Sequence, residues 1–120
     1  MQQDKIQHHS INYLEIPVKD IVKTKAFFGD VFNWQFEDYG PEYSCFIDVS
    51  ISGGFFVSDK NFATAQGCPL IVIYSAQLEQ TQAEVLKAGG RISQPIFSFP
   101  GGRRFHFFDP NENEYAVWSE

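Results

Sequence analysis

Arg104, His106 and Trp118 lie close together in the segment RRFHFFDPNENEYAVW near the end of the chain. An imidazole exchanges protons near neutral pH. A guanidinium grips a carboxylate or phosphate through parallel N–H donors, and an indole offers a broad apolar face. Whether they meet depends on the backbone. Residues 103–108 and 114–118 are rich in aromatic and β-branched types, which suit a pleated surface. Between them, Asp109-Pro110-Asn111-Glu112-Asn113 has the composition of a tight turn. The pattern predicts a β-hairpin with Arg104, His106 and Phe108 on one side of its first strand. Glu114, Ala116 and Trp118 share a side of the second. This face is expected to floor a pocket.

The rest of the chain supplies the elements that must build the walls. Strands are expected at 11–18, 35–38, 42–48, 51–57, 70–74 and 91–97. Apolar spacing predicts a helix over 21–32, with Asp20 as its N-cap. A second helix is expected over 78–88, closed by Gly89-Gly90. Gly53-Gly54 interrupts a strand and marks either a bulge or a close approach. Residues 99–102 read as a loop, and the polar stretch 58–69 reads as a connection between halves. The order is then βαβββ twice. Aligning 16–33 on 73–90, an offset of 57, matches Ile16 with Ile73, Thr24 with Thr81 and Ala26 with Ala83. Cys45-Phe46-Ile47-Asp48 matches His106-Phe107-Phe108-Asp109 at an offset of 61. The added residues are placed in the loop at 100–103. The reading is an α+β fold of two tandem βαβββ modules, 11–57 and 70–120. Together they make one domain at 11–120 after a polar lead-in at 1–10.

At 120 residues the chain is sized for one domain, and 13 Phe give ample core material. A net charge of −6 with no basic run beyond Arg103-Arg104 argues against nucleic acid and is compatible with a cationic ligand. No apolar run reaches the ~18 residues of a membrane span. Two distant cysteines, Cys45 and Cys68, and a polar start lead us to expect free thiols in the cytoplasm.

The double pattern, with YLEIPVKD, KAFFGDVFNW, AEVLKAGG and FFDPNENEYAVW in that order, resembles the vicinal oxygen chelate superfamily. Its members are glyoxalases, extradiol dioxygenases, and fosfomycin- and bleomycin-resistance proteins. The similarity covers roughly 11–120, and the glyoxalase-like (lactoylglutathione lyase-related) branch looks nearest. The resemblance implies two βαβββ modules curled around a shared cleft, commonly with pairing between chains. In metal-dependent members two histidines and a glutamate line that cleft. The corresponding positions here are Tyr13, Leu70 and Ala116, with a fourth near Phe55. Leu, Ala and Phe supply no ligands. The expectation is therefore no metal and no cofactor.

Strand alternation through both modules proposes a cleft lined by Tyr13, Glu15, Tyr43, Cys45, Phe55, Leu70, Val72, Tyr74, Arg104, His106, Ala116 and Trp118. A carboxylate in an apolar cleft needs a partner, so Glu15 is expected to meet Arg104 or His106, or to carry a raised pKa. Arg103 is expected to face solvent. The reading is a protein that binds a small aromatic or cationic molecule, as a homodimer. The alternative is a metal-independent isomerase or lyase moving protons between Glu15 and His106.

Overall fold

A computed structural model describes residues 6–120. The first module runs β1 (Tyr13–Val18), α1 (Ile21–Phe32), β2 (Gln35–Asp38), β3 (Tyr43–Ile47) and β4 (Ser52–Val57). A single 3-10 turn at Thr64–Gln66 lies in the connection. The second module runs β5 (Ile71–Tyr74), α2 (Leu78–Lys87), β6 (Arg91–Phe99), β7 (Gly102–Phe108) and β8 (Glu114–Ser119). Each module forms one mixed four-stranded sheet, ordered β1-β4-β3-β2 and β5-β8-β7-β6. In each, the first strand runs parallel to the last and the others pair antiparallel. This is the repeated α+β topology that the sequence predicts.

Local chemistry sets the elements. The Asp20 side chain accepts the Lys23 N–H and satisfies one orphan donor at the start of α1. Asn33, in the left-handed region at φ 60°, ends that helix by returning its N–H to Gly29. Between β6 and β7 the expected loop shrinks to the two-residue turn Pro100-Gly101, because Phe99 pairs directly with Gly102. Pro suits the first central position and Gly101, at φ 109°, the second. The residues added in the second module lengthen this hairpin.

The core is aromatic, and α1 ties the two sheets together. The Phe28 ring lies 5.5 Å from Phe55 of the first sheet and 5.2 Å from Tyr115 of the second. Phe27 and Phe32 reach Phe107 at 5.9 and 6.2 Å. Burying each such ring is worth roughly 1.5–3 kcal/mol.

Phe55, expected in the cleft, is instead 0% exposed in this core. The register explains the correction: Phe55 pairs with Ile16 and Ser44 on the helix-facing side, so Phe56 takes the opposite face. No bulge occurs at Gly53-Gly54, where β4 pairs continuously with β1 and β3. The glycines allow close approach. A Cβ at Gly53 would stand 2.1 Å from the Leu14 carbonyl, and one at Gly54 would stand 2.7 Å from the Tyr43 hydroxyl. The irregularities fall in β6, between Ile92 and Gln94 and between Gln94 and Phe97.

The turn between β7 and β8 joins the modules. The Asp109 carboxylate accepts the N–H groups of Asn111 and Asn113. Burial pushes its carboxyl above the usual value in spite of these donors. Asn111 Oδ1 accepts the Lys19 N–H at 2.9 Å, and its Nδ2 donates to Thr24 Oγ1. Asn113 Nδ2 donates to the Pro17 carbonyl, while its Oδ1 accepts the Phe62 N–H. These side chains are buried. Truncating one strands several partners at once, at about 1–3 kcal/mol for each group left unsatisfied. Asn111→Ala should lower the unfolding free energy by about 2–3 kcal/mol in urea titration; a change below about 0.5 kcal/mol would refute the joint.

Candidate functional site

The face of each sheet turned away from the helices carries most of the residues expected to do chemistry. On the first sheet, Tyr13, Glu15, Tyr43 and Cys45 come together. Tyr43 donates to Glu15 Oε2, Tyr13 and Tyr43 share a hydrogen bond of 2.6 Å, and Cys45 Sγ lies 3.9 Å from the Tyr13 hydroxyl. Gly54 makes this possible, since any side chain there would occupy the place of the Tyr43 phenol. Burial, then the bonds to Glu15 and Tyr13, push that phenol well above its ordinary value and keep it a donor. Glu15 is exposed and held by the Tyr43 phenol, and it meets neither Arg104 nor His106, the two partners expected for it. Its strand is paired only with β4, so no cation of the second sheet stands next to it in the ladder.

On the second sheet, register sets two rows across the strands. Tyr74, Trp118, Arg104 and Phe97 form one, and Val72, Ala116, His106 and Gln94 the other. His106 is only 5% exposed. Its Nδ1 meets Glu114 Oε2 at 2.9 Å, and its Nε2 is buried without a partner. Glu114 also accepts the Thr64 N–H and hydroxyl. Burial opposes ionisation of Glu114, but the bonds from His106 and Thr64 outweigh it and hold the carboxyl below its usual value. Glu114 is the partner that sequence reasoning left out. It shares a strand side with Ala116 and Trp118, and it faces His106 diagonally across the hairpin, within reach of a long side chain. His106 and Glu15 therefore sit in separate networks with no hydrogen bond between them. Ala116 is on the expected face but wholly buried, and Leu70 is half-buried just before β5. Arg103 lies on the other side of its strand, where its solvent-facing side chain pairs with Glu79 of α2.

A cleft of about 490 Å³ opens between the modules along β5. The first module contributes Leu14, Ile16, Trp34 and Phe46, and the second contributes Ile71, Ile73 and the expected Val72, Tyr74 and Trp118. The turn at 48–51 closes one end. There Asp48 and Ser50 adopt positive φ values of 59° and 90°, a conformation that side chains disfavour. Trp34 and the turn were not anticipated; only the positive-φ tolerance of Asp hints at them. Both tryptophans of the chain line this cleft.

The donor set does not suit the metal of metal-dependent relatives. Leu70 and Ala116 carry no lone pair, and the Tyr13 phenol is engaged by Tyr43. Among the described residues no three of His, Cys, Asp and Glu converge on a point.

Comparisons agree with this architecture. A family model described as Glyoxalase/Bleomycin resistance protein/Dioxygenase superfamily matches residues 10–117. No curated protein sequence matches. Among solved structures, a glyoxalase-related enzyme from Fulvimarina pelagi superposes with a TM-score of 0.78 at 13% identity, covering 94% of this chain and 89% of that one. The fosfomycin resistance protein FosX from Listeria monocytogenes gives 0.77 at 15% identity and covers 95% of both chains. A lactoylglutathione lyase from Agrobacterium tumefaciens gives 0.68 at 15% identity, covering 93% and 94%. At these identities the likeness is one of fold.

The Glu114–His106 pair predicts a pH signature. A carboxyl depressed in the folded state stabilises fully above its unfolded value of about 4.3 and loses that contribution as pH falls through the folded value. Wild type should exceed Glu114→Gln by about 1–3 kcal/mol at neutral pH, with the gap closing below about pH 4. Denaturant titrations between pH 7 and 3 that show a constant gap would refute the pairing.

Proposed function

This chain belongs to the glyoxalase/bleomycin resistance protein/dioxygenase superfamily, and from that premise we propose that it binds a small aromatic molecule in the cleft between its modules. The cleft itself carries the reading. It is concave, of a size that takes a small ligand, and walled by aliphatic and aromatic side chains from both modules. Trp34, Trp118 and Tyr74 give its walls aromatic surface, which suits a flat apolar body. Neither a Lewis acid nor the proton relay between Glu15 and His106 is needed for capture of this kind.

The reading includes a homodimer. Tyr13, Val72 and Tyr74 are exposed at 50%, 43% and 49% on sheet faces turned away from the helices. Exposed large apolar side chains on such faces favour a surface that receives a partner. A second copy set against these faces would cover them and wall the cleft. Sedimentation equilibrium should return twice the chain mass of 13.7 kDa; a single-chain mass at micromolar concentration would refute the dimer.

Ligand capture is testable with the protein's own chromophores. A thermal-shift screen of aromatic metabolites and drugs should find compounds that stabilise the wild type and change its tryptophan emission, since both indoles line the cleft. Trp118→Ala should weaken the best of them about tenfold, or ~1.4 kcal/mol. Compounds that stabilise the protein without altering emission, and equally in Trp118→Ala, would place binding elsewhere.

A further inference from the structure

Arg91 pairs with Glu112 and Arg103 pairs with Glu79, but Arg104 has no carboxylate within salt-bridge distance among the described residues. Its Nε is buried without a hydrogen-bond partner. The guanidinium is held in place all the same. Its Cζ lies 5.2 Å from the centre of the Phe97 ring and 5.5 Å from that of Phe99. Two aromatic faces steady a cation and partly replace its water, but they accept no in-plane N–H bond. The nearest acid along the ladder is Glu120, diagonal to Arg104, and its carboxylate accepts the Tyr74 phenol at 2.9 Å. A fixed, partly desolvated guanidinium with unused donors is a recognition element for a planar anion.

Its position connects it to the cleft. Arg104 is the register partner of Trp118, which lines the cleft and packs edge-on against Tyr74 with ring centres 5.2 Å apart. A flat apolar body against Trp118 and Tyr74 has Arg104 one strand away on the same face. On the other sheet, Glu15 is held by the Tyr43 phenol. The acidic balance of the whole chain suggests a cationic ligand, and Asp48 lines the end of the cleft at the 48–51 turn, but the charge next to Trp118 on its own face is the Arg104 cation.

We infer that the ligand is an aromatic carboxylate, its ring in the cleft beside Trp118 and its anionic group paired with Arg104. This rests on the cleft-binding reading and adds the charge of the ligand and the residue that reads it. The experiment is isothermal titration with three probes of one shape and different charge: 1-naphthylacetate, 1-naphthylacetamide and 1-naphthylmethylamine. Wild type should bind the acetate at least tenfold more tightly than the amide or the amine, with an affinity that falls as salt is raised. Arg104→Met keeps an apolar stem under the two phenylalanines and should lose at least tenfold for the acetate. Its affinity for the amide should stay within twofold, which also shows that the cleft is intact. Arg104→Lys, which keeps the charge but not the fork, should fall between them. If amide or amine binds as tightly as acetate, or if Arg104→Met keeps its affinity for acetate, the assignment to Arg104 is wrong and the cleft reading stands. If none of the three probes binds, both are wrong.

Discussion

The buried amide–carboxylate cluster of the β7–β8 turn is the constraint on which the relation between the modules depends. Asp109 holds the turn's own N–H groups, while Asn111 and Asn113 reach backbone groups of β1, the step into α1 and the connection. A buried polar group without a partner is costly, so each bond can form only in one placement of the two sheets. Hydrophobic packing of α1 against both sheets supplies most of the attraction, but greasy rings tolerate sliding. The amides supply the register.

The same logic separates what the chain shows locally from what it conceals. Helix α1 was legible to the residue because Asp20 and the apolar spacing act within one turn of each other. The hairpin of β7 and β8 was legible for a similar reason, since a turn-rich stretch stands between two strand-rich ones. The two-module repeat followed from element order and from the alignment of 16–33 on 73–90. Phe55 was assigned to the wrong face because Gly53 and Gly54 hide the parity of β4: with no side chains to read, either alternation looks equally good. Only the pairing of Phe55 with Ile16 decides it.

The candidate site was legible in composition more than in arrangement. Tyr13, Glu15, Tyr43 and Cys45 did converge: they alternate along β1 and β3, which flank β4 and meet across Gly54. The partner of His106 escaped because a diagonal contact across a ladder depends on rotamers as well as register. Asn111 and Asn113 looked like turn formers and nothing more. Their partners are main-chain N–H and C=O groups, which leave no mark in a sequence. Trp34 and the turn at 48–51 entered the cleft through the packing of one module against the other, which no local rule contains.

The repeat offset of 61 that matches Cys45 with His106 also matches Tyr43 with Arg104. The two sheets share strand order and ladder pattern. The second copy's guanidinium and imidazole thus occupy the places of the first copy's phenol and thiol. The molecule repeats its backbone but not its side chains: Glu15, Tyr43 and Cys45 mark one sheet, and Arg104, His106 and Glu114 the other. A duplicated module begins with two equal faces. Here a few alternate positions carry different residues, so the two faces offer different chemistry and a partner cannot exchange one for the other.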